Sequence, residues 1–313
     1  MLKKIFFIFS LFYSGFLFSQ RNRTFEIGVI VDNDSFTSTV NDKYYTNGAE
    51  LFFQYLSNQS NDKLKKIIRF KAGQYIYNPK WVKSDFIVDH NRPYAGYLFA
   101  ELGIRRFYKS ENVWITNFQV GVVGPLSQAE NVQKTMHASF GFGKIYGWQH
   151  QIENTLGLQY NSIFSKKLPL PITTANIDFH GQLKIDLGTI FTGFSLGSLM
   201  RISLTKPLIS LQHSNFYDAS LQNEVLTSNE WYFYILPVIN YQIYDATILG
   251  SAYESNSSHG FRINPFRFNG EIGFKFRHRH WNLSYSALYK SNEISNSTTT
   301  GFYYGSIAAS YLF

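Results

Sequence analysis

The sequence predicts an all-β protein: a transmembrane antiparallel β-barrel of about 12 strands, with a short helix in an outer loop. Three observations predict it. The chain opens with an export signal. Aromatic residues make up 18% of it, with 30 Phe and 22 Tyr, while charged residues reach only 16%, against roughly 25% in a soluble domain. Segments of about ten residues with apolar side chains on alternate positions recur along the chain, the pattern of strands with one face in lipid. No stretch after residue 20 approaches the run of about 18 apolar residues that a spanning helix needs.

The export signal is Met1-Leu2-Lys3-Lys4, an apolar run from Ile5 to Phe18, and Ser19-Gln20. The run is short for a membrane anchor and ends in a polar stretch, so residues 1–19 are expected to be cleaved, leaving 20–313 as one barrel domain. Its two lysines leave with it, lowering the formal charge of +8 to about +6. The chain has no cysteine, which excludes a disulfide framework, a thiolate metal site and an acyl-cysteine anchor.

Alternation places strands near 24–33, 47–57, 67–77, 95–107, 113–123, 152–164, 174–186, 190–203, 231–244, 263–277, 281–290 and 302–313. The last ends on Phe313 with Tyr311 and Ile307 in step, like the terminal signal of bacterial outer-membrane barrels. An even count puts both termini on the periplasmic side. The connections 34–46, 78–94 and 124–151, the three with unusual composition, then fall on the outer face, and 204–230 falls on the periplasmic one.

The 124–151 connection carries the helix. Gly124-Pro125 ends a strand, and Ser127 and Glu130 form an S-x-x-E capping box. Ala129, Val132, Met136 and Phe140 follow at helical spacing, with His137 beside that stripe and Gln133 on the same face as His137. A lone histidine near an apolar face is usually a packed core residue. As a catalyst it would activate water, since no serine nearby sits in a nucleophile elbow. Glu153 is the nearest acid after it. In the first outer connection Asn33 and Asp34 offer hard oxygen ligands suited to calcium, with the Thr46 hydroxyl in reach of the same rim, though Asn and Asp also make strand-ending turns. In the second, Lys83 and Arg92 are a candidate phosphate grip, against the blander reading of a solvated loop. Gly193-Phe194-Ser195-Leu196-Gly197 matches G-x-S-x-G but lies inside an alternating strand, the wrong context for a nucleophile elbow. His278 and His280 sit in a basic periplasmic turn and are set aside as well.

Four ordered motifs resemble a known family. They are Asn33-Asp34; Tyr45-Thr46-x-Gly48; Arg92-Pro93-Tyr94-Ala95-Gly96; and Gly124-Pro125 with Glu130, Val132, Gln133, His137, Gly147-Trp148, Gln151 and Asn154. Together they are similar to the outer-membrane lipid A 3′-O-deacylases, over most of residues 24–160. The resemblance implies a twelve-stranded barrel in the outer membrane. It implies calcium-dependent hydrolysis of the 3′-acyloxyacyl ester of lipid A, at a site between the wall and the helix. By position, His137 is then the general base, with Asn33 and Thr46 at the carbonyl. Asp34, Asn33 and Glu153 are the metal candidates, and Lys83, Arg92 and Tyr94 the substrate-binding ones. Some members have an acid six residues after the histidine; here that position is Gly143, which leaves open what orients His137. The expected partners are lipid A, the outer membrane and the barrel-assembly machinery during insertion, with no nucleic acid and a monomeric barrel. Two alternatives stay open: a non-catalytic pore or scaffold barrel, and a calcium-dependent phospholipase barrel.

Overall fold

The computed structural model describes residues 23–37, 44–57, 64–141, 143–222, 229–253, 260–295 and 298–313. The expected signal peptide lies outside them. Twelve strands close into a barrel in which every neighbouring pair is antiparallel. They are β1 (Phe25–Asn33), β2 (Tyr44–Leu56), β3 (Leu64–Asn78), β4 (Ala95–Tyr108), β5 (Asn112–Val123), β6 (Thr155–Lys167), β7 (Ile177–Gly188), β8 (Phe191–Ile202), β9 (Glu230–Asp245), β10 (Phe266–His278), β11 (Trp281–Lys290) and β12 (Phe302–Leu312). No boundary departs from the sequence expectation by more than three residues. Closure is direct: the Phe25 N–H donates to the Phe313 carbonyl at 3.0 Å and the Phe313 N–H to that of Phe25 at 2.9 Å. Both ends of the barrel chain therefore sit at one rim.

Side chains alternate as a membrane barrel requires. In β1, Phe25, Ile27, Val29 and Val31 point outward, whereas Glu26 and Gly28 are buried inside. At the outer end the lumen is filled by a cluster that includes Tyr44, Tyr45, Tyr77, Tyr97, Phe99 and Tyr304. At the periplasmic end it is filled by the connection between β8 and β9, which folds back into the barrel. There Asp218 pairs with Arg69 and Arg105. Lys65 donates to the carbonyls of Gln212 and Ala219 at 2.8 and 2.5 Å. Leu211, Tyr217 and Leu221 pack on Ile67, Phe107 and Ile115. The wall's buried cations thus find acceptors on the plug, as burial demands. The sequence placed this segment at the correct rim but gave no sign that it turns inward.

Helix α1 (Ala129–Phe140) is the one long helix among the described residues. It does not sit over the mouth; it lies against the outside of the wall. Tyr94 and Gly96 of the β4 entry and Ile76 and Asn78 of β3 belong to the outward-facing set, yet all are buried, and Ile76 and Tyr94 pack with Ala129, Ile145 and Trp148. Gly96 is required there. A Cβ on it would lie 2.1 Å from Ser127 Oγ and 2.2 Å from the Ala129 Cβ.

Candidate functional site

The start of α1 was expected at the right place with the wrong cap. A 3-10 turn, Pro125–Ser127, precedes the helix, and Gln128 is the N-cap residue, in the left-handed region at φ 59°. The Ser127 hydroxyl donates back to the Gly124 carbonyl at 2.6 Å. Glu130 pairs with Lys134 one turn on. The buried face also differs from the expected stripe. Ala129 and Gln133 are buried, while Val132 and Phe140 are exposed on the outward side. The helix packs on the outside of the barrel with a polar residue, Gln133, toward the wall and Val132 and Phe140 away from it. Gln133 donates to Asn78 at 3.3 Å and accepts from Trp148 Nε1 at 2.9 Å.

Residues 129, 133 and 137 share that face. Ala129 rests on Gly96 of β4, and Gln133 on Asn78 of β3. Each four-residue step rises about 6 Å, close to the spacing of roughly 4.8 Å between strands. The order Ala129 on β4, then Gln133 on β3, points the His137 end of the helix in the direction of β2. His137 is half-buried, and its Nδ1 lies 3.0 Å from the Gly143 carbonyl oxygen. A carbonyl only accepts, so Nδ1 carries the proton and, in the neutral ring, Nε2 is the basic nitrogen. Position 143 thus does contribute to orienting the histidine, through its backbone carbonyl rather than through a side chain. Lys83 comes up on the same side, its Cε 3.8 Å from where a Gly143 Cβ would stand. It lines an open cleft of about 740 Å³ with Trp81, Ser84, Asp85, Phe86, Asp89 and Tyr146.

Asn33 and Asn47 form the other side. They are register partners on β1 and β2, directly following the outward Val31–Ala49 pair. Both therefore belong to the outward set, where alternation calls for apolar side chains. Asn33 Nδ2 donates to Asn47 Oδ1 at 2.5 Å. Asn33 Oδ1 accepts from the Ser35 N–H at 2.8 Å and from its hydroxyl. Thr46 is the extra residue where the β2–β3 register shifts between Tyr45 and Asn47, a bulge of the kind that re-aims side chains beside sites. Its side chain is outside the described set. Tyr45 turns inward and donates to Asp32 at 2.6 Å; its ring lies over Gly48, where a Cβ would be 2.1 Å from the Tyr45 oxygen. That contact explains the glycine of the motif. Asp34 is 8% exposed and opens the 3-10 turn Asp34–Thr37, which folds over the outer wall so that Phe36 covers Gly305 of β12. The outer wall thus shows a polar window at β1–β2, flanked by this turn on one side and by α1 on the other.

Three expected residues fall elsewhere. Arg92 does not face outward. It is 1% exposed, donates to Glu293 at 2.7 Å and to Thr247 at 2.8 Å, and lies 4.4 Å from the Tyr77 ring centroid. It ties three outer connections together and presents nothing to a phosphate. Tyr94 is fully buried against Trp148, ring centroids 4.7 Å apart, and its carbonyl accepts from Ile152 N–H at 2.8 Å. It is a floor for α1. Glu153 is exposed and its backbone lies against Gly124, before the helix begins. Eight residues of helix, about 12 Å of rise, separate Ala129 from His137, so Glu153 sits at the opposite end. Asn47 was missed, although an asparagine beside Asn33 on an apolar face was a readable signal.

The donors bear on calcium. A calcium shell takes roughly six to eight oxygens. Asn33 Oδ1 is committed to Ser35, position 143 has no acid, and Glu153 is remote. Asp34 is the one carboxylate among the named candidates that stays at the window. This donor set fits a weak calcium site, with water and substrate supplying most oxygens. Away from the window, Glu111, Asp178 and His180 are the one acid–histidine trio close enough to hold a metal among the described residues. Arg201 takes both oxygens of Asp178 and Lys167 pairs with Glu111, so the trio is part of an ion-pair network at the periplasmic rim. The G-x-S-x-G serine, Ser195, lies mid-strand in β8 and hydrogen-bonds Asn240.

A closed barrel with a histidine-bearing helix docked on its outer wall, beside a polar window in an apolar band, defines an outer-membrane barrel whose candidate site opens toward lipid. The chain belongs to the LpxR family: the model described as "Outer membrane protein LpxR" matches residues 5–313. Among solved structures it is similar to LpxR from Salmonella typhimurium, at 18% identity and a TM-score of 0.75, covering 92% of this chain and 100% of that one. It is also similar to the β domain of the Bordetella autotransporter BrkA, at 9% identity and a TM-score of 0.51, covering 93% and 99%. These two likenesses speak to the barrel. A search of curated proteins finds no match.

Proposed function

We propose that this outer-membrane protein is a lipid A deacylase that hydrolyses the 3′-acyloxyacyl ester in the outer leaflet. The observation that carries the proposal is the His137–Gly143 contact on a helix docked outside the wall, taken together with the outward Asn33–Asn47 amide pair. Nδ1 is fixed as a donor, so Nε2 takes a proton from water as that water attacks the ester carbonyl, a step worth roughly 10²–10⁴ in rate. The carbonyl oxygen gains negative charge, and an N–H donor at the window is suited to receive it for about 3–4 kcal/mol. Lys83 brings a positive charge close to Gly143, the partner of His137, in keeping with a phosphorylated substrate. A calcium ion held by Asp34 would supply further stabilisation of the charged oxygen. Because the site faces sideways, acyl chains stay in the membrane while the ester reaches the histidine.

A pore fits less well, since aromatic residues and the plug fill both ends of the lumen. The test is mass spectrometry of lipid A from cells expressing the protein, with calcium added. Wild type should remove the 3′ acyloxyacyl group and His137→Ala should not, with equal amounts of folded barrel in both. Intact lipid A in the wild-type strain would sink the proposal; loss of phospholipid acyl chains instead would favour a phospholipase.

A further inference from the structure

We propose that Asn47 is a positioning residue that holds Asn33 as a donor to the ester carbonyl oxygen; the inference rests on the hydrolase reading above. An asparagine amide can present either its oxygen or its N–H groups to a substrate, and the two choices have opposite effects on a developing oxyanion. Here the choice is made by two neighbours. The Ser35 N–H, 2.8 Å away, donates to one end of the Asn33 amide and so marks that end as the oxygen. The other end is then Nδ2, and it donates to Asn47 Oδ1.

Nδ2 has two hydrogens. Among the described residues Asn33 hydrogen-bonds only Ser35 and Asn47, so one N–H is committed and one remains. That N–H belongs to a residue of the outward face, beside the 3-10 turn Asp34–Thr37, with the ester carbonyl proposed to sit between it and His137. A pair of amides on a lipid-facing surface is costly unless it serves a purpose. The pairing commits one N–H of Asn33 and leaves its second N–H for a ligand. Asn47 needs no contact with substrate for this role; it needs only an acceptor oxygen at that place.

The role separates two substitutions at one position. Asn47→Leu restores the apolar wall but removes the acceptor, freeing the Asn33 amide to turn over. Asn47→Asp keeps an oxygen where Oδ1 stood. With purified protein in mixed micelles and hexa-acylated lipid A as the probe, Asn47→Leu should lower kcat by about 10–100-fold, a part of what losing an oxyanion donor costs, with KM within twofold. Asn47→Asp should stay within about threefold of wild type. Heat-modified migration on a gel reports barrel folding for each. Wild-type kcat in Asn47→Leu, or an equal loss in both variants, would overturn the inference while leaving the hydrolase reading intact. A wild-type protein with no activity on lipid A sinks both.

Discussion

His137 Nδ1 lies 3.0 Å from the carbonyl oxygen of Gly143, and no side chain at position 143 takes part. The Gly143 carbonyl thus holds the Nδ1 end of the histidine, while among the described metal candidates Asp34 is the carboxylate beside the window. Ligand charge tunes calcium affinity, and sites with few acids bind at about 10⁻⁴–10⁻³ M. Half-maximal activation by calcium is expected in that range. Gly143→Glu has room, since a Cβ there meets nothing nearer than Lys83 Cε at 3.8 Å, and its φ is not in the left-handed region. A second carboxylate should lower the half-activating concentration by roughly tenfold, read by titrating calcium into chelated enzyme. Micromolar activation of the wild type would show that donors outside the described residues complete the shell.

The strands were legible because lipid on one side and a packed lumen on the other force a period of two on every strand. The helix was legible from its spacing, but its orientation was not. Periodicity marks Val132 and Phe140 as a face without saying whether that face is buried against protein, and here it is exposed. Arg92 was misplaced for a similar reason: a loop has no parity, so its residue types cannot reveal that the guanidinium turns in to Glu293. Asn47 was readable: counting back from the outward Leu51 and Ala49 puts position 47 outside, and the bulge at Thr46 breaks the alternation only on the Tyr45 side. The inward fold of the plug has no local signal, because its partners Arg69, Arg105 and Arg277 are far away in sequence.

The plug gives the barrel a pH dependence. His213 has its pKa pushed down to about 4 by burial and by the nearby charges of Lys65 and Arg277, against a smaller opposing pull from Glu111. Unfolded, it titrates near its ordinary 6.5. Between those values the unfolded chain binds more protons than the folded one, so His213 makes stability fall as pH drops from about 6.5 toward 4. The urea midpoint of the detergent-solubilised barrel should therefore fall from pH 7 to pH 5, and His213→Gln should flatten the slope. Equal slopes in the two proteins would assign the effect to other groups.

Docking of α1 is where fold and chemistry meet most directly, and Gly96 is the place to test it. A Cβ at 96 collides with Ser127 and Ala129 at just over 2 Å, both at the root of the helix. Neither can retreat freely, since Ser127 is bonded to Gly124 and the Gln74 side chain donates to the Ser127 carbonyl at 2.6 Å. Gly96→Val must lift the helix from the wall, and His137 rides on it two turns further along. A displacement of about 1 Å at a catalytic group costs on the order of 100-fold in rate. The strand itself tolerates valine, so the barrel should still fold and shift on heating as wild type does. Gly181→Ala in β7, where a Cβ meets only Leu168 at 3.6 Å or more, serves as the control and should keep full activity. Full activity in Gly96→Val, with the barrel folded, would mean that the contact between α1 and the wall does not set the position of His137.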